Sequence, residues 1–461
     1  MTAPRTEPSA ASTESGASAT DGGAIESGTS ATDDEVTETI RSETSVLEGP
    51  TALAGLADRL REYDLVLLGE ASHGTSEFYR WRSWLTARLL QSRRRAYVCV
   101  EGDWADCYAV NRYVKGLDGA ESARDVLDGF DRWPTWLWAN WEVVDFAEWL
   151  ASHNESREAG ERAGFYGLDV YGLFESMRAL IDALERIDPD AAEDARRAYR
   201  CFEPYGEDAR EYAQAIRLAP ESCEDEVVDA LASLTEDGGE YGDSHPDERF
   251  SAEQNALVAK NAEAYYRSMV GGGADSWNTR DRHMAETLDR LQEHHGEDAL
   301  GIVWAHNTHV GDARATDMER RGRLNLGQLA REELAGDVAL VGFGSHRGEV
   351  VAGERWDAPM ERMPVPPARR GSIEERFHRA DGRDRLLVTD DLPSDSVFDE
   401  ERGHRAIGVV YDPDRESGNY VPTVLAERYD AYVHVDETTA LHPLARHADR
   451  TGVPELYPWG L

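Results

Sequence analysis

An α/β fold, with a mostly parallel central sheet flanked by helices and carrying a helical insertion, follows from three observations in the sequence. Seven short apolar runs recur along the chain, and each turns polar at its C-terminal end. Helix-patterned segments alternate with them. Between about residues 172 and 296 the strand pattern disappears and only helical periodicity remains. Strands that are apolar at consecutive positions are buried on both faces, the condition of a parallel sheet covered by helices.

The predicted strands are "DLVLLGE" (64–70), "AYVCVEG" (96–102), "GFYGLDV" (164–170), "LGIVWAH" (300–306), "VALVGFGS" (338–345), "RAIGVVY" (405–411) and "AYVHVDE" (431–437). Helices are predicted over 75–92, 142–153 and 325–334, where apolar residues recur at helical spacing. In the insertion, "FESMRALIDALERI", "EDARRAYRCFEPY", "EDEVVDALASL" and "AEQNALVAKNAEAYYRSMV" have the same period, and "EYGDSHPDERF" (240–250) interrupts them with turn residues. Residues 1–45 are Ser, Thr, Ala, Gly and Glu with hardly a large apolar side chain. They predict a disordered acidic tail ahead of a folded domain over 46–461.

The formal charge is −41, from 90 Asp and Glu against 49 Lys and Arg, and lysine occurs only at Lys115 and Lys260. Acid is spread along the whole chain on an otherwise normal apolar content of 40%. Such a surface suits a high-salt cytoplasm, where a Debye length of about 3 Å removes the self-repulsion. The same charge excludes a nucleic-acid partner, because a phosphate-binding surface needs a basic stripe. No stretch approaches the ~18 apolar residues of a membrane span. No signal-peptide pattern opens the chain, so a cytoplasmic protein is expected. Cys99, Cys107, Cys201 and Cys223 form no C-x-x-C pair, which fits reduced thiols.

Ligands of open parallel sheets bind beyond the carboxyl ends of the strands. The residues there are Glu70 and His73; Glu101 and Asp103; Asp169; His306 and His309; Ser345, His346 and Arg347; Asp436 and Glu437. Abundant acid is expected anywhere in this chain, but it has only 14 histidines, and four fall at this rim. In "GEASHG", Gly69 and Gly74 bracket a tight turn, and Glu70 can hold the imidazole of His73 in one tautomer. Ser72 invites comparison with a G-x-S-x-G nucleophile elbow, but Glu70 stands where the first glycine belongs. In "WAHNTHVG", His306 and His309 can share a ligand or an ion, or be unrelated loop histidines. Glu101 can orient an imidazole or simply end a strand. Five of the twelve tryptophans, among them Trp136 and Trp138, lie within 133–149 and suit either a bulky ligand or a hydrophobic pillar. Arg280 and Arg282 near the start of a helix run against its dipole; either a carboxylate or a bound anion offsets this, or the side chains are merely solvated.

These pieces in this order resemble the erythromycin esterase family. The resemblance rests on "LLGEASHGTSEFYRWR", "VCVEGDWADCYAVNRYV", "WLWANWEVVDFAEWLASHN", "FYGLDVYG", "RDRHMAETL", "WAHNTHVG", "GFGSHRGEV", "RAIGVVYDP" and "RYDAYVHVDETTALHPL", from about residue 47 to 445. It implies an α/β core with helical additions and hydrolysis of a carboxylic ester or lactone without a covalent serine intermediate. It also implies that His73 is the general base, with Glu70, Glu101, Arg82, His306 and His309 matching the other site positions. His306, His309 and Arg82 are expected to bind the carbonyl oxygen or product carboxylate, and Trp136, Trp138, Arg280 and His346 to contact a small-molecule substrate. No cofactor is expected, although Glu70, His73, Glu101, His306 and His309 would also suit a divalent metal ion.

Overall fold

A computed structural model describes residues 33–444 apart from 118, 188, 203–211, 213–245, 270–273, 297 and 394–395. Its strands are β1 (Thr44–Val46), β2 (Leu65–Leu68), β3 (Ala96–Asp103), β4 (Gly164–Asp169), β5 (Leu300–Trp304), β6 (Val338–Gly353), β7 (Met360–Val365), β8 (Arg385–Val388), β9 (Arg402–Arg405), β10 (Tyr420–Thr423) and β11 (Ala431–Thr438). Nine of them form one sheet in the order β1-β8-β11-β6-β2-β5-β3-β4, with β7 paired to β6. The run from β11 through β4 is parallel throughout. The edge pairings β1–β8, β8–β11 and β6–β7 are antiparallel.

Both faces of the parallel strands are packed, as their doubly apolar sequences require. Val66 and Leu68, Val98 and Val100, and Ile302 and Trp304 enter one core cluster. Leu65 and Leu67, Tyr97 and Cys99, and Val303 enter the other. Helices Ser76–Ser92 and Trp141–Glu155 cover the first face, while Asp275–His295 and Leu326–Glu333 cover the second. Among the described residues of the insertion all regular structure is helical: Leu173–Ile187, Pro189–Phe202, Pro246–Met269 and Asp275–His295. Its aromatic core of Phe174, Phe202, Tyr212, Tyr265 and Tyr266 is separate from the two sheet clusters.

Several expectations need correction. Helix Asp33–Glu43 buries Val36 and Ile40, so the folded part begins well before residue 46; the rest of the expected tail lies outside the described residues. "RAIGVVY" is not a strand of the sheet and pairs with it only through an isolated bridge from Val410 to Gly353 at the end of β6. Only Arg405 is in a strand, in the separate β9–β10 pair. Ile407 lies across the loop after β2 instead, with its N–H bonded to the Ala71 carbonyl at 2.8 Å. β6 continues through His346 to Gly353, so that histidine is inside a strand and not beyond its end. β1, β7, β8 and β10 lie outside the predicted strands; β7 exposes Met360, Glu361, Arg362 and Pro364 and has no doubly apolar run. Cys99 and Cys107 are free, but Cys201 is disulfide-bonded, so the cysteines are not all reduced.

Candidate active site

The loop from Gly69 to Thr75 is held from several directions. The carbonyl of Glu70 accepts the N–H of Asn307 at 2.8 Å, and Gly74 accepts those of Val351 and Leu441, each at 2.9 Å. Neither bracketing glycine has a positive φ. Both are required by close approach: a Cβ on Gly69 would overlap the side-chain oxygen of Asn307, and one on Gly74 the backbone of Val351. Ser72 is buried and bonds the Thr75 hydroxyl, with no histidine as its partner.

Glu70 is 1% exposed and divides its carboxylate between two partners. Oε1 meets His73 Nδ1 at 2.8 Å, and Oε2 accepts from Arg82 Nη2 at 2.5 Å. The neutral imidazole therefore carries its proton on Nδ1, which leaves Nε2 as an acceptor on the side of the cleft that His73 lines. Burial by itself would lower the His73 pKa, but the charges of Glu101 and Glu70 and the Glu70 hydrogen bond raise it above the ordinary value.

Opposite this pair lies a second network. Arg280, from the insertion helix Asp275–His295, donates Nε to Asp169 at 2.9 Å and Nη2 to Asp169 at 2.7 Å and Glu101 at 2.6 Å. Its Nη1 donates to His309 Nε2 at 2.9 Å, and His309 Nδ1 donates to Asp281 at 2.8 Å. Glu101 also accepts the His306 N–H at 2.8 Å. Burial favours a protonated Glu101, yet His309 when charged, Arg280 and His73 hold it well below the carboxylate range. The Arg280 charge against the helix dipole is thus offset by carboxylates. His306 sits 4.9 Å from His73 between ring centroids, and burial followed by the His73 charge pushes it well below the imidazole range.

The cleft encloses about 130 Å³ and is lined by His73, Glu101, Asp103, Asp169 and Arg280 together with Trp138, Phe130, Tyr171 and Trp356. Trp138 also donates its indole N–H to the Glu101 carbonyl at 3.0 Å. Arg132 and Asp106 line it as well, and the sequence did not single them out. Nothing could have marked Asp106 among 90 acidic residues. Its carboxyl is pushed up to about 7 by burial and by the charges of Asp103 and Glu175. Asp103 rises to about 6 through burial, against its Arg132 partner.

Other expected residues lie outside the cleft. Arg82 is fully buried behind Glu70, stacked over Tyr79 and Trp304, and is not among the residues that line the cleft. His309 is likewise behind Arg280, with Trp277 stacked on its ring at 4.7 Å. Trp136 is core. His346 stacks on His378 at 3.7 Å, beside the Asp436 carboxylate that His378 binds.

Of the five residues that would suit a divalent ion, only His73 and His306 keep an uncommitted ring nitrogen, Nε2 in each. Both oxygens of Glu70 and Glu101 and both nitrogens of His309 are already bonded, and a guanidinium stands among them. Among the described residues no three His, Cys, Asp or Glu side chains converge to hold a metal.

Fold and site together define an α/β protein with a carboxylate-held imidazole lining a cleft at the carboxyl rim of its parallel sheet. The chain belongs to the erythromycin esterase family, whose model matches residues 96–438. Family membership supports a hydrolase. Similar solved structures include a protein from Bacillus cereus at 16% identity and TM-score 0.76, covering 90% of this chain and 100% of that one. A succinoglycan biosynthesis protein matches at 18% identity and TM-score 0.73, over 89% of this chain and 98% of that one. A mutant of the erythromycin esterase EreC in its open conformation matches at 17% identity and TM-score 0.59, over 84% and 94%. At these identities the likeness is one of fold. Among the described residues no helix is long and apolar enough to cross a membrane.

Proposed function

We propose that the protein hydrolyses a carboxylic ester or lactone of a small molecule, with His73 as the general base and no metal ion. The observation that carries this reading is the Glu70–His73 pair, with Nδ1 committed at 2.8 Å and Nε2 left for the cleft. Nε2 takes a proton from water as the water oxygen bonds to the carbonyl carbon. The carbon–oxygen bond to the leaving group then breaks, and the proton passes to the departing alkoxide. Arg82 secures Glu70 from behind. Trp138, Phe130, Tyr171 and Trp356 give the cleft an aromatic wall for a bulky substrate such as a macrolide, the substrate in the family's name. The acidic, lysine-poor composition supports a high-salt cytoplasm as the working compartment.

The test is a panel of alkyl esters, aryl esters and macrolide lactones in molar salt, with gain of water followed by mass spectrometry. At least one member should be hydrolysed, and His73→Asn should lower kcat/KM by about 10²–10⁴-fold with the circular dichroism unchanged. Full turnover in His73→Asn would remove the base from this assignment. A chelator should leave turnover unaltered; loss that a divalent cation restores would replace the metal-free mechanism.

A further inference from the structure

A guanidinium has five N–H donors. Four of those on Arg280 are committed, to Asp169 twice, to Glu101 and to His309. The fifth, on Nη1, is the one left on a side chain that lines the same cleft as His73. The other Nη1 hydrogen is tied down only because His309 Nε2 accepts it at 2.9 Å. Arginine cannot accept, so while this bond is made Nε2 is bare and the ring proton is on Nδ1; Glu101 Oε1, 3.4 Å from Nε2, is the acceptor that an Nε2–H would meet instead. The Nδ1–H tautomer is set by Asp281, which is fully buried and takes the Nδ1 proton at 2.8 Å. The same Asp281 oxygen accepts the backbone N–H of Leu326 at 2.9 Å, which fixes the carboxylate in turn. Trp277 stacks on the His309 ring at an interplanar angle of 6° and prevents it from rotating.

We propose that Asp281 and His309 are positioning residues that hold Arg280 with one N–H free, and that this N–H is the donor to the oxyanion formed in the cleft. The inference rests on the hydrolytic reading above and assigns the oxyanion to Arg280 in place of Arg82, His306 and His309. With the opposite tautomer, His309 Nε2–H would face Arg280 Nη1–H, donor against donor, and would compete with Arg280 for Glu101 Oε1 at 3.4 Å. The guanidinium would then turn, and its aim into the cleft would be lost. The alignment adds to the transition state and not to ground-state binding, so it acts on kcat.

Four variants separate this from a merely structural role. Asp281→Ala should shift the His309 tautomer toward Nε2–H and lower kcat by about 10–100-fold, with KM within about threefold. Asp281→Asn keeps an oxygen for both His309 and Leu326, so it should retain the tautomer and lose less than about fivefold. His309→Gln places an acceptor where Nε2 was. In that background Asp281→Ala should cost less than about twofold more. Tautomers are read by ¹⁵N-histidine NMR, with the His309 signal assigned by its loss in His309→Gln. An equal cost of Asp281→Ala in both backgrounds would overturn the relay. A shifted tautomer with kcat unaltered would overturn the oxyanion role. If Asp281→Ala does not fold, the wild-type spectrum decides, and an Nε2–H signal for His309 refutes the relay. If wild type hydrolyses nothing, the hydrolytic reading and the oxyanion role fail together, while the tautomer still decides the relay.

Discussion

Two buried carboxylate–imidazole pairs in this molecule have the same local chemistry and opposite outcomes. Glu70 binds His73 Nδ1 at 2.8 Å, and Glu374 binds His404 Nδ1 at 2.6 Å. Burial lowers both imidazoles, and both carboxylates raise them. His73 nevertheless ends above its ordinary value, and His404 below. The difference lies beyond the pair. His73 also feels Glu101, which outweighs the charge of Arg280, whereas His404 faces the charges of Arg428 and Arg405 with no second carboxylate. The second nitrogen differs too: that of His404 meets the Asn307 amide at 3.3 Å, and that of His73 is left to the cleft. A carboxylate beside a histidine therefore marks no base by itself; the sign of the surrounding charge and an open nitrogen do.

The strongest way to break this contrast is Glu70→Gln. It removes one of the charges that raise His73 and leaves the buried Arg82 guanidinium without a counter-ion. We expect kcat/KM to fall by about 10²-fold or more. The fold should lose about 3 kcal/mol in chemical denaturation, the usual cost of breaking a buried pair from one side. The pH profile supplies the sign. A base works unprotonated, so wild-type activity should rise with pH through a point above the ordinary imidazole value. In Glu70→Gln that limb should move to lower pH. A limb that stays in place would detach it from His73.

Glu374→Gln sharpens the comparison from the other side. It should cost about 1–3 kcal/mol of stability, the worth of hydrogen bonds to a buried charge, with kcat/KM changed less than about threefold. A loss of activity as deep as that of Glu70→Gln would erase the distinction between the pairs.

The smallest effect is expected at Asp106. A carboxyl raised to about 7 in the fold keeps a proton that the unfolded chain gives up near the ordinary aspartate value of 3.8. Its cost to stability therefore grows between those values and is complete above them. Asp106→Asn should stabilise by about 1–2 kcal/mol at pH 8 after allowance for solvent screening, and by almost nothing at pH 4. Equal gain at both pH values would show that the charge is not the cause.

Much of the fold was legible because doubly apolar strands leave an unmistakable trace. β2, β3, β4, β5 and β11 stand where "LVLL", "AYVCVEG", "GFYGLD", "LGIVW" and "AYVHVDE" predict them. The rim was legible for the same reason, since a strand's end locates the polar residue after it. His73, Glu70 and Glu101 were found in this way. What spacing could not convey is which side of a carboxylate a partner occupies. Arg82 and Arg280 are both arginines near a glutamate, yet one is sealed behind Glu70 and the other faces the cleft. Asp281 was illegible because an aspartate following an arginine on a helix has no distinguishing pattern in so acidic a chain. "RAIGVVY" misled because an apolar run can cross a loop as readily as it can extend a sheet.

The fastening of the Gly69–Thr75 loop bears on when the protein becomes competent. His73 leaves the ribosome early, but the N–H groups that secure its loop belong to Asn307, Val351, Ile407 and Leu441. Contacts so distant in sequence form late, because the loops they close must first be brought together. The loop that carries His73 is thus framed only once residues more than 200 positions further along the chain have packed against it.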